Sequence, residues 1–189
     1  MGNREDLLAG AKRCLYEKGY TRTTARDIAA ASGTSLASIG YHFRSTKALL
    51  NEALFDTMRE WGEELERALG TDTGMRPGSR ERFEEIWDRV AGSFAAQRPL
   101  WTTQFEAITQ LDHLPEMREA FGTGLEEARR GLAEIFDPDA DAETLRVTGR
   151  LYQTLLSGLL SQWLIDPERA PSGRDLAEAV RAVAAGFDR

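Results

Sequence analysis

The stretch "TTARDIAAASGTSLASIGYHFRSTKALL", residues 23–50, constrains the fold of this chain more than any other. Thr24 and Asp27 stand three apart, the spacing of a helix-opening capping box with Asp in place of the usual Glu. An acid in that first turn also suits the helix dipole. Gly33 closes the segment, "GTS" makes a turn, and a third helix starts near Leu36. Two helices crossing closely need three things. They are a small residue at the crossing, a glycine able to take a left-handed turn four residues on, and an apolar residue six further. Ala29, Gly33 and Ile39 meet those demands, with Ile28 and Phe43 as core partners. The stretch is expected to form a helix-turn-helix.

At about 100° per residue, Leu36, Ile39, Gly40 and Phe43 gather on one side of the third helix and are expected to pack. Ala37, Ser38, Tyr41 and His42 gather on the other and are expected to meet something outside the protein. For Tyr41 the alternative is a core tyrosine showing only its hydroxyl.

The rest of the chain carries helical signals and no Val/Ile/Thr-rich alternation with hairpin turns, so the expected class is all-α, with about nine helices. The first covers about residues 4–18, with Leu7, Leu8, Ala11 and Leu15 as its stripe and Gly19 as its stop. Cys14 sits beside that stripe as a small buried hydrophobe. Ser45 caps a fourth helix reaching about residue 69, and "GTDTGMRPGS", residues 70–79, reads as a flexible loop. Further helices are expected near 80–97, 100–111, 115–135, 142–165 and 174–187, with a possible break at Gly122 to Gly124. His113 falls at a turn, as a solvent-exposed or capping histidine. The expected division is a helix-turn-helix domain over 1–48 and a helical effector-binding and dimerisation domain over 49–189.

Net charge is −7, but it is unevenly spread. Residues 1–50 hold eight basic side chains against four acidic ones, a net +4, which leaves −11 for the remainder. A basic first quarter on an acidic body suits contact with phosphate at one end only. No apolar run approaches the ~20 residues that span a bilayer, and "MGNREDLLAG" lacks the pattern of a signal peptide. With a single cysteine, the expected location is the cytoplasm.

Residues 23–50 resemble the DNA-binding signature of the tetracycline-repressor (TetR) family of bacterial transcription regulators. The likeness rests on the T-x-x-x-I-A-x-x-x-G segment, the short helix ending in Tyr-His-Phe, and the Ser/Lys-containing cap before a Leu-rich helix. Two departures stand out. Thr46 follows the capping serine where the family often has Lys, with Lys47 one place later, and Gly40 replaces a frequent aromatic. The resemblance implies a homodimer with two helix-turn-helix heads, whose bodies dimerise and bind a small-molecule effector that changes the spacing of the heads. The bound partner would be a double-stranded DNA operator, with no membrane and no cofactor involved.

On that reading the third helix enters the major groove. Ser38 would reach a base edge, Ala37 would approach a thymine methyl, and Tyr41 and His42 would meet phosphate. Thr24, Arg26 and Thr34 or Ser35 would touch the DNA backbone, and Arg44 or Lys47 would supply the charge displaced by Thr46. Leu36 could be core or could touch a thymine methyl.

In the larger region Trp101, Gln104, Phe105 and Ile108 share a stripe that Tyr152 and Gln153 could face, and this is the expected effector pocket. "LYQTLLSGLLSQWLI" is apolar almost all round in its second half and must be covered on more than one side. With Leu176, Val180 and Val183 of the last helix, its Leu156, Leu159 and Trp163 would form a four-helix dimer interface.

An enzyme is not expected. Two distant histidines, one cysteine, no metal-ligand spacing, no Gly-x-Ser-x-Gly and no phosphate-binding glycine loop leave nothing to assign as catalytic or metal-binding. The remaining alternative is a helical ligand-binding or protein-interaction module without operator binding.

Overall fold

The capping box at Thr24 forms as the spacing requires: the Thr24 hydroxyl accepts from the Asp27 amide, and the Asp27 carboxylate accepts from the Thr24 amide at 2.9 Å. In a computed structural model that describes residues 4–69, 74–111 and 115–187, this box opens the second of nine helices. They are α1 (Arg4–Lys18), α2 (Ala25–Ser32), α3 (Leu36–Phe43), α4 (Thr46–Leu69), α5 (Arg80–Ser93), α6 (Arg98–Ile108), α7 (Pro115–Phe136), α8 (Ala142–Ile165) and α9 (Gly173–Phe187). No strand occurs among the described residues. His113 and residues 70–73 of the glycine-rich loop lie outside them. No helix among them is long and apolar enough to cross a membrane.

Helix ends follow the local chemistry. Gly33 takes the left-handed conformation at φ 66°, and the Thr34 amide returns to the Ala29 carbonyl at 3.0 Å. Ser35 caps α3 and Ser45 caps α4, the latter accepting from the Ala48 amide at 3.0 Å. α7 runs unbroken through Gly122 and Gly124, where a break was possible. Both glycines have open space beside them, so no neighbour forces a kink.

The chain forms two compact units. One comprises Met1–Trp61 and Gln97–Gly122, the other Gly62–Ala96 and Thr123–Arg189.

In the first unit α1 and α2 cross tightly at Gly10, where a Cβ would lie 2.8 Å from the Ser32 Cβ. Around that crossing Leu7, Ala11 and Ile28 are wholly buried, and Ile39, Phe43, Leu49 and Leu54 complete the core under α3. α6 belongs to the same unit. Its Thr103 hydroxyl donates to the Leu15 carbonyl at 3.2 Å, and Glu106 accepts from the Thr21 amide at 3.1 Å. Trp101 meets Trp61 edge to face, with centroids 4.6 Å apart.

In the second unit Ile86, Trp87 and Val90 of α5 and Phe94, which caps it, form the core with Phe136, Leu159 and Leu160. Phe136 stacks on Tyr152 at 4.2 Å, and Phe94 meets Trp163 at 5.7 Å. Gly149 and Gly173 permit backbone contact there. A Cβ on either would fall 2.4 Å from the Arg129 carbonyl or 2.1 Å from that of Glu84.

Candidate nucleic-acid interface

α3 is held from beneath by two side chains. Ile39 and Phe43 are 3% and 5% exposed, and the Arg4 guanidinium sits 4.8 Å over the Phe43 ring. The expectation that Leu36 and Gly40 join them is corrected by the structure. Leu36 is 51% exposed, and Gly40 is exposed with nothing within 4 Å of where a Cβ would stand. Gly40 therefore permits no tight packing on α2. The outward surface of α3 is Leu36, Ala37, Gly40 and Tyr41, with Tyr41 86% exposed. His42 is half-buried and meets the Tyr41 ring edge to face at 4.9 Å.

Much of the surrounding polar chemistry is already engaged. The Thr24 hydroxyl donates to Asp27 at 2.6 Å. The Ser32 hydroxyl donates to the Ile28 carbonyl, so in the 2.8 Å contact with Thr34 it is Thr34 that supplies the proton. Ser35 and Ser38 share a hydroxyl contact of 2.9 Å. Phosphate oxygens need donors, and Thr24 and Thr34 both aim theirs at the protein.

The basic side chains divide in the same way. Arg4 pairs with Glu52, Lys12 with Asp56 and Glu60, and Lys18 with Asp27. Lys18, and after it Thr24, hold the Asp27 carboxyl well below the usual carboxylate range. Arg13 and Arg22 donate to the carbonyls of Ala31 and Lys18. Among the described residues, that leaves the exposed side chains of Arg26, Arg44 and Lys47 with no hydrogen-bond or ion-pair partner. Arg26 lies in the first turn of α2, Lys47 in the first turn of α4, and Arg44 directly follows α3. Arg44 is also the only non-glycine residue with positive φ, 65°, among those described. The basic count in the sequence overstated the available charge, because three of the eight cations pair with acids and two more are spent on backbone carbonyls.

The other predicted residues fall in both units. Trp101, Gln104, Phe105 and Ile108 lie on α6 in the first. Trp101 is 3% exposed, Phe105 and Ile108 are exposed, and the buried Gln104 Oε1 has no hydrogen-bond partner among the described residues. Tyr152 and Gln153 lie on α8 in the second, where burial pushes the Tyr152 hydroxyl above its ordinary pKa. Gln153 donates to the Ser157 hydroxyl at 3.0 Å. Of the predicted interface residues, Leu156, Trp163, Leu176 and Val180 are half-buried and Val183 is exposed. Leu159, 2% exposed, is packed inside its own unit and has no surface left to offer. Sequence reasoning missed the exposed apolar side chains of Val147, Leu151, Ile165 and Phe187. On α8, Val147 and Leu151 stand four apart and Ile165 two heptads further on, and Phe187 stands four beyond Val183 on α9, a spacing that could have found them.

A two-helix unit with a bare outward face and three unpartnered cations near its helix ends defines a helix-turn-helix regulator that binds DNA. The comparisons with known proteins agree. The family model for bacterial regulatory proteins of the tetR family matches residues 7–53. The HTH-type transcriptional regulator TtgR of Pseudomonas putida is 35% identical over 176 residues, covering 87% of this chain and 81% of that protein. A candidate transcriptional regulator from Streptomyces coelicolor A3(2) superposes with a TM-score of 0.71 at 25% identity, covering 95% and 96% of the two chains. NalD of Pseudomonas aeruginosa, the secondary repressor of the MexAB-OprM multidrug efflux pump, shares the fold at a TM-score of 0.57 and 23% identity, with 93% and 91% coverage. The chain belongs to the tetR family of bacterial regulatory proteins.

Proposed function

We propose that this regulator is a homodimeric repressor acting in the cytoplasm, released from a palindromic operator by a small-molecule effector. Residues 1–48 form the head that touches DNA, and residues 49–189 bind the effector and the partner subunit. The observation that carries the DNA reading is the set of three exposed, unpartnered cations Arg26, Arg44 and Lys47 around the bare face of α3. These side chains contact phosphate and set the register, with Tyr41, His42 and Ser35 as neutral backbone contacts; Thr24 and Thr34 join them on turning their hydroxyls from Asp27 and Ser32. Leu36, Ala37 and Ser38 face the bases.

Dimerisation is supported by an exposed apolar seam. On α8, Val147, Leu151 and Ile165 are 53%, 44% and 83% exposed, and Gly158 leaves open space between the last two. On α9, Leu176, Val180, Val183 and Phe187 follow the four-three-four spacing of a coiled-coil seam. Large exposed apolar side chains in register seek a partner, and two such helices from each subunit close as a four-helix interface. The effector reading is supported by α6. The orphaned Gln104 carbonyl beside exposed Phe105 and Ile108 suits an apolar ligand that donates one hydrogen bond.

The test is selection of duplexes from a random pool by the purified protein at moderate salt. Enrichment of a two-fold motif supports a dimeric operator reader. No enrichment by folded protein leaves a ligand-binding module in its place.

A further inference from the structure

The eight residues of α3, "LASIGYHF", contain no Arg, Lys, Asn, Gln, Asp or Glu. Those are the side chains that make paired hydrogen bonds to guanine, adenine and cytosine in the major groove. Ser38, Tyr41 and His42 are the only polar groups on the helix. Ser38 is half-buried and tied to Ser35, and His42 is half-buried against Tyr41. Apart from Tyr41, 86% exposed and assigned above to phosphate, the surface presented outward is apolar. Leu36 is 51% exposed, Ala37 is exposed, and Gly40, one turn beyond Leu36 on the same side, leaves an open notch. The cations that hold phosphate all lie off this helix, on α2, α4 and the residue after α3.

Two features of that surface have no explanation inside the protein. A leucine half in water gains little from packing. A glycine in mid-helix weakens the helix, and here it permits no close approach by any other part of the chain. Both make sense if the surface is completed by an apolar group from outside. In the major groove one base offers such a group, the 5-methyl of thymine.

We propose that α3 reads its operator chiefly through thymine 5-methyl groups, with Leu36 and Ala37 as the contact surface and Gly40 as the notch that admits a methyl. This rests on the DNA-binding reading above and deepens it. Polar contacts from Arg26, Arg44 and Lys47 fix the position of the helix, and the pattern of methyls sets the sequence preference.

The experiment uses the full-length protein and the enriched operator. Each thymine is replaced in turn, symmetrically in both half-sites, by deoxyuridine, which keeps every hydrogen-bonding group and lacks only the methyl. At one or two positions per half-site, binding is expected to weaken about fourfold per lost methyl, or about fifteenfold for the symmetric pair. The Leu36→Ala variant should bind less tightly and lose most of its sensitivity at one of those positions. Leu36 is half-exposed, so this variant keeps its fold. Gly40→Ala should fold at least as well as the parent and lose affinity, because its methyl occupies the notch. Equal binding of thymine and deoxyuridine operators at every position overturns the proposal while leaving the regulator reading intact. Failure to enrich any operator overturns both.

Discussion

Gly10 and Gly40 sit in the same unit, each within a helix, and the same substitution should move stability in opposite directions. At Gly10 an added Cβ would lie 2.8 Å from the Ser32 Cβ, 3.0 Å from its amide nitrogen and 3.1 Å from its Cα. Carbon atoms settle at about 3.5–4.0 Å, so α1 and α2 must part by several tenths of an ångström or more. The obstructing atoms belong to backbone and Cβ and cannot swing aside. Overpacking of this kind costs about 1–3 kcal/mol, and the helix propensity gained from Gly→Ala returns at most about 1 kcal/mol. Gly10→Ala is therefore expected to destabilise by roughly 1 kcal/mol. At Gly40 the new methyl meets nothing, and Gly40→Ala is expected to stabilise by about 0.5–1 kcal/mol. A gap near 2 kcal/mol corresponds to melting temperatures about 4–8 °C apart for a chain of this size. Thermal unfolding followed by circular dichroism reads it directly. If Gly10→Ala melts at or above Gly40→Ala, the close α1–α2 crossing is refuted.

Replacing Arg26, Arg44 or Lys47 singly by Ala should weaken binding to all duplexes alike. In a dimer each change removes two phosphate contacts, so the slope of log affinity against log salt should fall by about two; fluorescence anisotropy across a salt series checks this. Asp27→Asn should lower thermal stability at neutral pH, since Lys18 and Thr24 favour the ionised carboxylate. A carboxyl held low in the folded state stabilises above its unfolded pKa and loses that contribution as pH falls toward the folded value. The gap between parent and variant melting points should therefore narrow below about pH 4. Combining Ile165→Asp with Phe187→Asp should yield a folded monomer by sedimentation, because both side chains are over 80% exposed in the single chain.

The fold was legible where chemistry is local. Thr24 with Asp27, Gly33, Ser35 and Ser45 mark helix ends through bonds spanning five residues or fewer, and a sequence displays such bonds openly. Leu36 was misplaced because a helical wheel records angle and not position along the axis, and Gly40 because the buried stripe is narrow and Gly40 stands about 100° round from Ile39. The core reaches Ile39 and Phe43 and stops short of Leu36. Available charge was illegible for a different reason. The partners of Arg4 and Lys12 lie some forty to fifty residues downstream on α4, and only the tertiary arrangement cancels them. The three cations that remain were all among those predicted. Leu159 shows the same limit from the other side, since an apolar helix does not say which of its faces its own chain will cover.

α6 works as a shaft with different fittings on its two sides. Thr103 and Glu106 grip the end of α1 and the turn after it, while Phe105 and Ile108 stand exposed. Three turns of helix are too stiff to twist one side independently of the other. Any molecule that rotates or slides α6 to seat itself against Phe105 pulls on Leu15 and Thr21 in the same motion. A ligand that displaced α6 would thus act on α1 and the turn after it directly, through the hydrogen bonds of Thr103 and Glu106.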